Sequence, residues 1–377
     1  MEGRQRVVQI VATVVTAVLA ALVVIGLTAT RLGRETAVAP TPLAATPAAG
    51  HDYGPPPADT NLLYVHDPDN PNWLIGFDWS GTPQATVKLD PSASGALMAP
   101  DGQTFAIGLN AKGGTWQFLD RLGKPIGAPS TLAGGLAMWA DDNKHVCATA
   151  LDQQTLGWSL WTELPGESPK RVRVLAFDST LGETGVRVVA CSFKNDVAIA
   201  ERIVQAWPTE YWLVRVSDGS LLAHQTRSGR DMAMFTASAD AKLLAENSSQ
   251  STGQVDAAAA STLVVRASDA GVVATLDPSM GVLAFNGDDT AALVTLTPWV
   301  GGKPIHLGVV NLASGSLVWQ DDGTSGYFFS QLVAQPGGSE FAIAYPTSGT
   351  YPSPSTIVIV GADGSNSRLD RLYTPTW

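Results

Sequence analysis

The sequence predicts an all-β protein, a seven-bladed β-propeller of four-stranded antiparallel blades. Seven times along the chain an apolar run ends in a turn that carries a glycine, and a second apolar or β-branched run follows. A period of about 40 to 50 residues, with four short strands in each, is typical of propellers. The turn glycines are Gly81, Gly123, Gly166, Gly219, Gly271, Gly315 and Gly364.

Many of the strand segments are apolar on successive residues, as in TLVV and TIVIV. A sandwich with one solvated face would alternate apolar and polar residues, whereas strands covered on both faces need continuous apolar runs. Each blade of a propeller is covered by its two neighbours, so this pattern favours the propeller. A six- or eight-bladed ring and other all-β folds are the alternatives.

An uncharged segment, VVQIVATVVTAVLAALVVIGLTAT, covers residues 7–30. As a helix it would reach about 36 Å, enough to cross a hydrocarbon core of about 30 Å. We therefore predict one transmembrane signal-anchor helix, preceded by a cytoplasmic tail of residues 1–6. The alternative is a cleaved signal peptide, whose apolar region normally has about 7 to 15 residues. In that case the protein would be secreted.

The charges beside this segment predict which side of the membrane the remainder occupies. Arg4 and Arg6 precede it, and the two arginines that follow are partly offset by Glu35. This slight positive-inside bias favours a cytoplasmic amino terminus, with the propeller outside the cytoplasm. Residues 31–60 are rich in Ala, Pro and Thr, a composition that predicts an extended linker. The propeller itself is expected to cover residues 61–377.

The blades can be followed strand by strand. Segments that precede the turn glycines are third strands: WLIGFDW, TWQFLD, SLWTEL, YWLVRV, TLVVRA, HLGVVNL and TIVIVGA. A second strand lies before each of them: LLYVHD, TFAIGLN, HVCATAL, DVAIAER, KLLAENS, AALVTLT and EFAIAYP. Six repeats also have a first strand, but the amino-terminal repeat lacks one. Residues 372–377, LYTPTW, are left over, and we predict that they pair with residues 60–67 and close the ring.

The segment MAPDGQTFAIG at residues 98–108 resembles the PDG-containing repeat of WD40-like propellers of the TolB type. WADDNKHVCAT, TASADAKLLAE, FNGDDTAALV and QPGGSEFAIA are degenerate copies of it. This resemblance implies a fold and no particular activity. NLASGSLVWQ at residues 311–320 is similar to the tryptophan-docking repeat of quinoprotein dehydrogenases. Ser314 and Ser316 depart from that repeat, and packing of Trp319 between blades explains the similarity without a quinone.

Composition argues against several functions. A net charge of −11 with scattered basic residues disfavours nucleic acid, which needs clustered Lys and Arg. The chain has no Gly-x-Ser-x-Gly, Ser-x-x-Lys, His-x-His or His-Glu-x-x-His pattern. We therefore predict no catalytic residue, no metal ligand and no cofactor. A propeller-type hydrolase, lyase or quinoprotein, with single residues gathered at the central channel, stays open as the alternative.

Two further features have two explanations each. The segment DPDNPN brings Asp67 and Asp69 into one short connection, which suits either Ca²⁺ or an ordinary tight turn. Cys147 and Cys191 lie in a second strand and in the first strand of the next blade. They could form a disulfide in an oxidising compartment, or pack as buried thiols.

Connections from second to third strands share one face of a propeller with the connections between blades, and here they are long. We expect ligands to bind on this long-loop face, where long loops carry large aromatic residues. The long connections are residues 202–210, 247–261, 298–304 and 346–355. The candidate ligand-binding residues are Trp207, Glu210, Trp299, Tyr351, Asp67 and Asp69. The predicted function is a membrane-tethered, extracytoplasmic binding or scaffolding module for a protein, peptide or cell-envelope ligand.

Overall fold

The computed structural model consists of β-strands joined by turns. It describes residues 41–42, 51–58, 60–89, 93–109, 115–132, 136–152, 157–176, 184–204, 207–226, 235–246, 262–268, 271–296, 306–321, 331–346, 354–369 and 373–375. Within these ranges no helix has the length and hydropathy needed to cross a membrane. The predicted anchor at residues 7–30 lies outside them.

Seven sheets follow one another along the chain, and the strands of each blade pair antiparallel. Blade 1 has β2 (Leu63–His66), β3 (Trp73–Phe77), β4 (Pro83–Lys88) and the carboxyl-terminal β28 (Thr374–Pro375). Blade 2 has β5 (Ala93–Met98), β6 (Thr104–Leu109) and β7 (Thr115–Asp120). Blade 3 has β8 (Leu136–Trp139), β9 (Val146–Asp152), β10 (Gly157–Glu163) and β11 (Lys170–Leu175). Blade 4 has β12 (Thr184–Ser192), β13 (Val197–Val204), β14 (Trp207–Arg215) and β15 (Leu221–Thr226).

The remaining three blades repeat the same order. Blade 5 has β16 (Phe235–Ala237), β17 (Leu243–Glu246), β18 (Thr262–Arg266) and β19 (Val272–Leu276). Blade 6 has β20 (Gly281–Phe285), β21 (Ala291–Thr295), β22 (Leu307–Asn311) and β23 (Leu317–Gln320). Blade 7 has β24 (Gln331–Ala334), β25 (Glu340–Pro346), β26 (Ser355–Gly361) and β27 (Asn366–Arg368). The predicted all-β, seven-bladed propeller is therefore confirmed.

Blade 2 departs slightly from the four-stranded pattern. Its sheet has three strands, and the place of the fourth is taken by an irregular segment that follows β7. Pro125 forms an isolated bridge with Leu119, and the Ile126 N–H donates to the Phe118 carbonyl at 2.8 Å. Since proline has no N–H to donate, an outermost position on the sheet is where it is best tolerated.

Seven clusters of buried apolar side chains lie at the seven interfaces between neighbouring blades. Each cluster draws residues from both blades, which explains why the strands are apolar on successive residues. In the part of the chain that the structure describes, the cluster between blades 4 and 5 has four buried members. They are Ala190, Ile199, Tyr211 and Ala241.

The carboxyl terminus closes the ring as predicted. β28 pairs antiparallel with β2, with Val65 opposite Pro375 and His66 opposite Thr374. Tyr373 is fully buried, and its ring packs edge-on against Phe77 in blade 1 at a centroid distance of 5.3 Å. Its backbone also exchanges two hydrogen bonds with blade 7. Blade 1 therefore takes its first strand from the opposite end of the chain.

The turns from first to second strands lie on the face opposite the long loops, which we call the short-turn face. In blades 2 to 6 the residue four positions after the first strand has a positive φ. A glycine occupies this position once, and the other four residues are non-glycine. They are Gly102, Asn143, Asp196, Ala241 and Asp289. The first strands of these blades therefore end at the same level on the short-turn face. A first strand that is longer than the others extends at its other end, toward the long-loop face.

Part of the segment assigned to the linker packs on the propeller. The Thr86 N–H donates to the Gly54 carbonyl at 2.7 Å, which places this segment along the outer strand of blade 1. Lys88 and Asp52 form an ion pair at 2.6 Å beside it. Further upstream, β1 (Thr41–Pro42) pairs in parallel with β27 at the outer edge of blade 7. Two outer blade edges are thereby covered by the amino-terminal segment.

A disulfide joins Cys147 on β9 to Cys191 on β12, with the two Cα atoms 6.3 Å apart. Both residues are fully buried in the cluster between blades 3 and 4. Of the two explanations that the sequence left open, the structure has the disulfide. It links neighbouring blades through residues 44 positions apart in the chain.

Candidate functional site on blade 4

Blade 4 has the longest strands that the structure describes. β12 and β14 have nine residues each, whereas the other first strands have two to six. The added length extends the blade toward the long-loop face, since β12 ends at its short turn in the same register as its neighbours. The pairs Thr184–Val204 and Val204–Trp207 form the end of this blade-4 extension.

Charged side chains lie within this extension, on strands that are otherwise apolar. Arg187 on β12 lies opposite Glu201 on β13, and its Nε contacts Glu201 Oε1 in an ion pair. Tyr211 on β14 is the next cross-strand neighbour, and its hydroxyl hydrogen-bonds to Glu201. The three side chains therefore form a row across one face of the sheet, on the side of blade 5.

Burial differs sharply within this row. The Glu201 side chain is fully buried, whereas the Arg187 side chain is 43% exposed. Burial raises the pKa of the Glu201 carboxyl, and the charge of Arg187 and the Tyr211 hydrogen bond act in the opposite direction. The row thus consists of a buried carboxylate that holds a partly exposed guanidinium.

A second ion pair lies on the opposite face of the same sheet. Arg202 and Glu210 are adjacent to Glu201 and Tyr211 in the chain, so their side chains alternate to the side of blade 3. Arg202 is fully buried, and its Nη1 lies 3.6 Å from Glu210 Oε2. The blade-4 extension is therefore stiffened by charged pairs on both faces.

The sequence placed two candidate residues correctly on this blade but in the wrong local structure. Trp207 and Glu210 were expected in a long loop of residues 202–210, and that expectation is wrong. β13 continues to Val204 and β14 begins at Trp207, so both residues lie in a strand. Glu210 is buried, and it is occupied by its ion pair with Arg202.

The remaining candidates do not come together with blade 4 in the described residues. Asp67 lies in blade 1 and is buried, where its carboxylate accepts hydrogen bonds from the Asp69 N–H and from Asn70 Nδ2, both at 3.0 Å. This is the geometry of an ordinary turn. Trp299 and Tyr351 lie outside the described residues. Among the described ones, no group of three His, Cys, Asp or Glu is placed to hold a metal ion.

Sequence reasoning missed Arg187, Glu201 and Tyr211. A signal was present, because Arg187 and Glu201 interrupt two strands whose other residues are largely apolar. Charged residues are rarely fully buried unless they are paired. Two opposite charges in neighbouring strands could therefore have been read as a pair.

Comparison with solved structures gives matches at low sequence identity. One match is the crystal structure of the Myceliophteria thermophila Cps50 (Swd1) β-propeller domain, at 12% identity and a TM-score of 0.48. It covers 89% of this chain and all of that one. Another match, the crystal structure of a eukaryotic initiation factor, has 10% identity and a TM-score of 0.42, and it covers 84% of this chain and 98% of that one. No protein-family model and no curated protein matches the sequence. The strand topology above shows a seven-bladed β-propeller.

Proposed function

We propose that this protein is a membrane-tethered, extracytoplasmic β-propeller that binds a protein partner on its long-loop face. The blade-4 extension is the observation that carries the proposal. It projects the hairpin of β13 and β14 toward that face, and its end has the apolar sequence Ile203, Val204 and Trp207. Tryptophan and other large apolar residues on a rigid support are the usual anchors of protein interfaces.

Two features support the cellular setting. The uncharged segment of residues 7–30 is long enough to anchor the chain in a membrane. The disulfide between blades 3 and 4 suits an oxidising compartment, because such bonds rarely persist in the cytosol. A propeller outside the cytoplasm, held by an amino-terminal anchor, accounts for both.

Site-specific photo-crosslinking in cells tests the binding face. A benzophenone amino acid in place of Trp207 should form an adduct with a discrete protein. The matched control is the same label at Leu122, an exposed apolar residue that is 44% accessible on the short-turn face. The purified partner should then bind Trp207→Ala at least tenfold more weakly and Leu122→Ala normally. Equal adducts at both positions, or no adduct at 207, would contradict the proposal.

Fractionation tests the tether independently. The full-length protein should stay in the membrane pellet after an alkaline carbonate wash. A soluble product that begins near residue 31 would show instead that the amino-terminal segment is cleaved. If free thiols are alkylated before lysis, both cysteines should escape alkylation and react with a thiol label only after reduction, as expected for a disulfide in an oxidising compartment.

A further inference from the structure

The first strands of a propeller surround its central channel. Among the described residues of the seven first strands, Arg187 is the one charged side chain. It lies on the part of β12 that extends toward the long-loop face, and it is 43% exposed. Arg187 is therefore a partly exposed guanidinium on an inner strand, near its long-loop end, and the other described first-strand residues are uncharged.

The blade holds this guanidinium in a fixed position. The Arg187 Nε–H donates to Glu201 Oε1, and a guanidinium has five N–H donors in a planar fork. Within the part of the chain that the structure describes, the four donors on the two Nη atoms make no hydrogen bond. In the same described residues, Glu201 is the ion-pair partner of Arg187.

Burying the Glu201 carboxylate costs free energy. Removing a carboxylate from water costs several kcal/mol, and a buried ion pair is often no more stable than apolar packing. Among the described residues, the charged row lies at the interface between blades 4 and 5, beside a cluster of four buried apolar side chains. A row that adds little to stability but orients one exposed guanidinium is well suited to binding.

We propose that Arg187 binds a carboxylate of the protein partner at the long-loop mouth of the channel, with Glu201 and Tyr211 as positioning residues. This inference rests on the proposed function, because the carboxylate is supplied by the partner that docks on that face. A planar fork matches a carboxylate through two parallel hydrogen bonds. The protein's net charge of −11 disfavours nonspecific attraction of anions, so recognition must depend on this local geometry.

Probe binding to the full chain in detergent micelles tests the inference. N-acetylglutamate α-amide carries one side-chain carboxylate, and N-acetylglutamine α-amide is its neutral match. Inorganic phosphate forms a third arm. With ¹⁵N-arginine labelling, the resonance missing from Arg187→Lys identifies the Arg187 Nε–H. This signal should shift saturably with the glutamate probe and not with the glutamine probe.

Variants separate contact from positioning. Arg187→Gln should lose at least tenfold in affinity for the glutamate probe, measured by the rise in thermal midpoint on binding. Glu201→Gln should weaken binding several-fold while the resonance of Arg187 moves in the unliganded protein. Affinity unchanged in Arg187→Gln, or saturation by phosphate but not by glutamate, would overturn the carboxylate assignment. Crosslinking at Trp207 is scored without any probe, so the proposed function can stand when this inference fails.

Discussion

Replacing Tyr373 with alanine should destabilise the closure of the ring more than any conservative change nearby. The side chain is fully buried and packs on Phe77. Truncating a buried aromatic residue to alanine costs about 3 to 5 kcal/mol. A folded domain has only about 5 to 15 kcal/mol of stability, so the variant should lose a large fraction of it.

A carboxyl-terminal truncation extends the same argument. Removing residues 373–377 also removes two backbone hydrogen bonds between Tyr373 and Ser355, at 2.8 and 2.9 Å, along with the pairing of β28 with β2. At about 1 kcal/mol for each hydrogen bond, the truncated protein should be about 2 kcal/mol less stable than Tyr373→Ala.

Urea unfolding followed by tryptophan fluorescence measures both losses. Tyr373→Phe is the matched control, because it keeps the buried ring and the backbone pairing, and it should lose less than half as much as Tyr373→Ala. A Tyr373→Ala protein within about 1 kcal/mol of the wild type would refute the reasoning, since a loss that small is inconsistent with a buried aromatic at the closure.

Three other perturbations test the blade contacts. Gly219→Ala should lower the thermal midpoint more than Gly315→Ala, because both have φ near +70° but only the added Cβ at Gly219 meets a neighbouring atom, the Val172 carbonyl at 2.2 Å. Burial and the Asp240 carboxylate raise the pKa of Asp289 to about 7. The protonated Asp289 therefore contributes fully to the stability of the folded state below its ordinary pKa of 3.8, and this contribution is lost as the pH rises through 7. The thermal midpoint of Asp289→Asn should therefore fall less between pH 5 and 8 than that of the wild type. Reducing the disulfide should cost about 4 kcal/mol by the loop-entropy relation, measured by urea unfolding with and without dithiothreitol.

The sequence was sufficient for the propeller because its signals are local. A turn position with a positive φ favours glycine, and six of the seven turn glycines have that conformation. A strand covered on both faces must be apolar along its length. The order of the strands and the closure of the ring then follow from counting the strands in each repeat. The amino-terminal repeat lacked a first strand, and residues 372–377 were the one segment left to supply it.

The site was decided by tertiary structure. Whether Arg187 meets Glu201 depends on the register of β12 with β13, and that register shifts between Val188 and Ala190. A one-residue shift moves every later side chain to the other face of the sheet. A second shift beside Ile203 admits Pro208 into the hairpin. In the sequence, a proline at this position predicts a loop, although strands tolerate proline at such irregularities.

The sequence by itself therefore determined the number of blades, the order of their strands and the closure by the two ends of the chain. These depend on turn chemistry and hydrophobic runs, which are properties of a few neighbouring residues. Only the tertiary structure decided that Arg187 is held by Glu201, and that Glu210 is buried against Arg202. Both pairs depend on strand registers set by bulges, and their burial depends on blades that are distant in the chain.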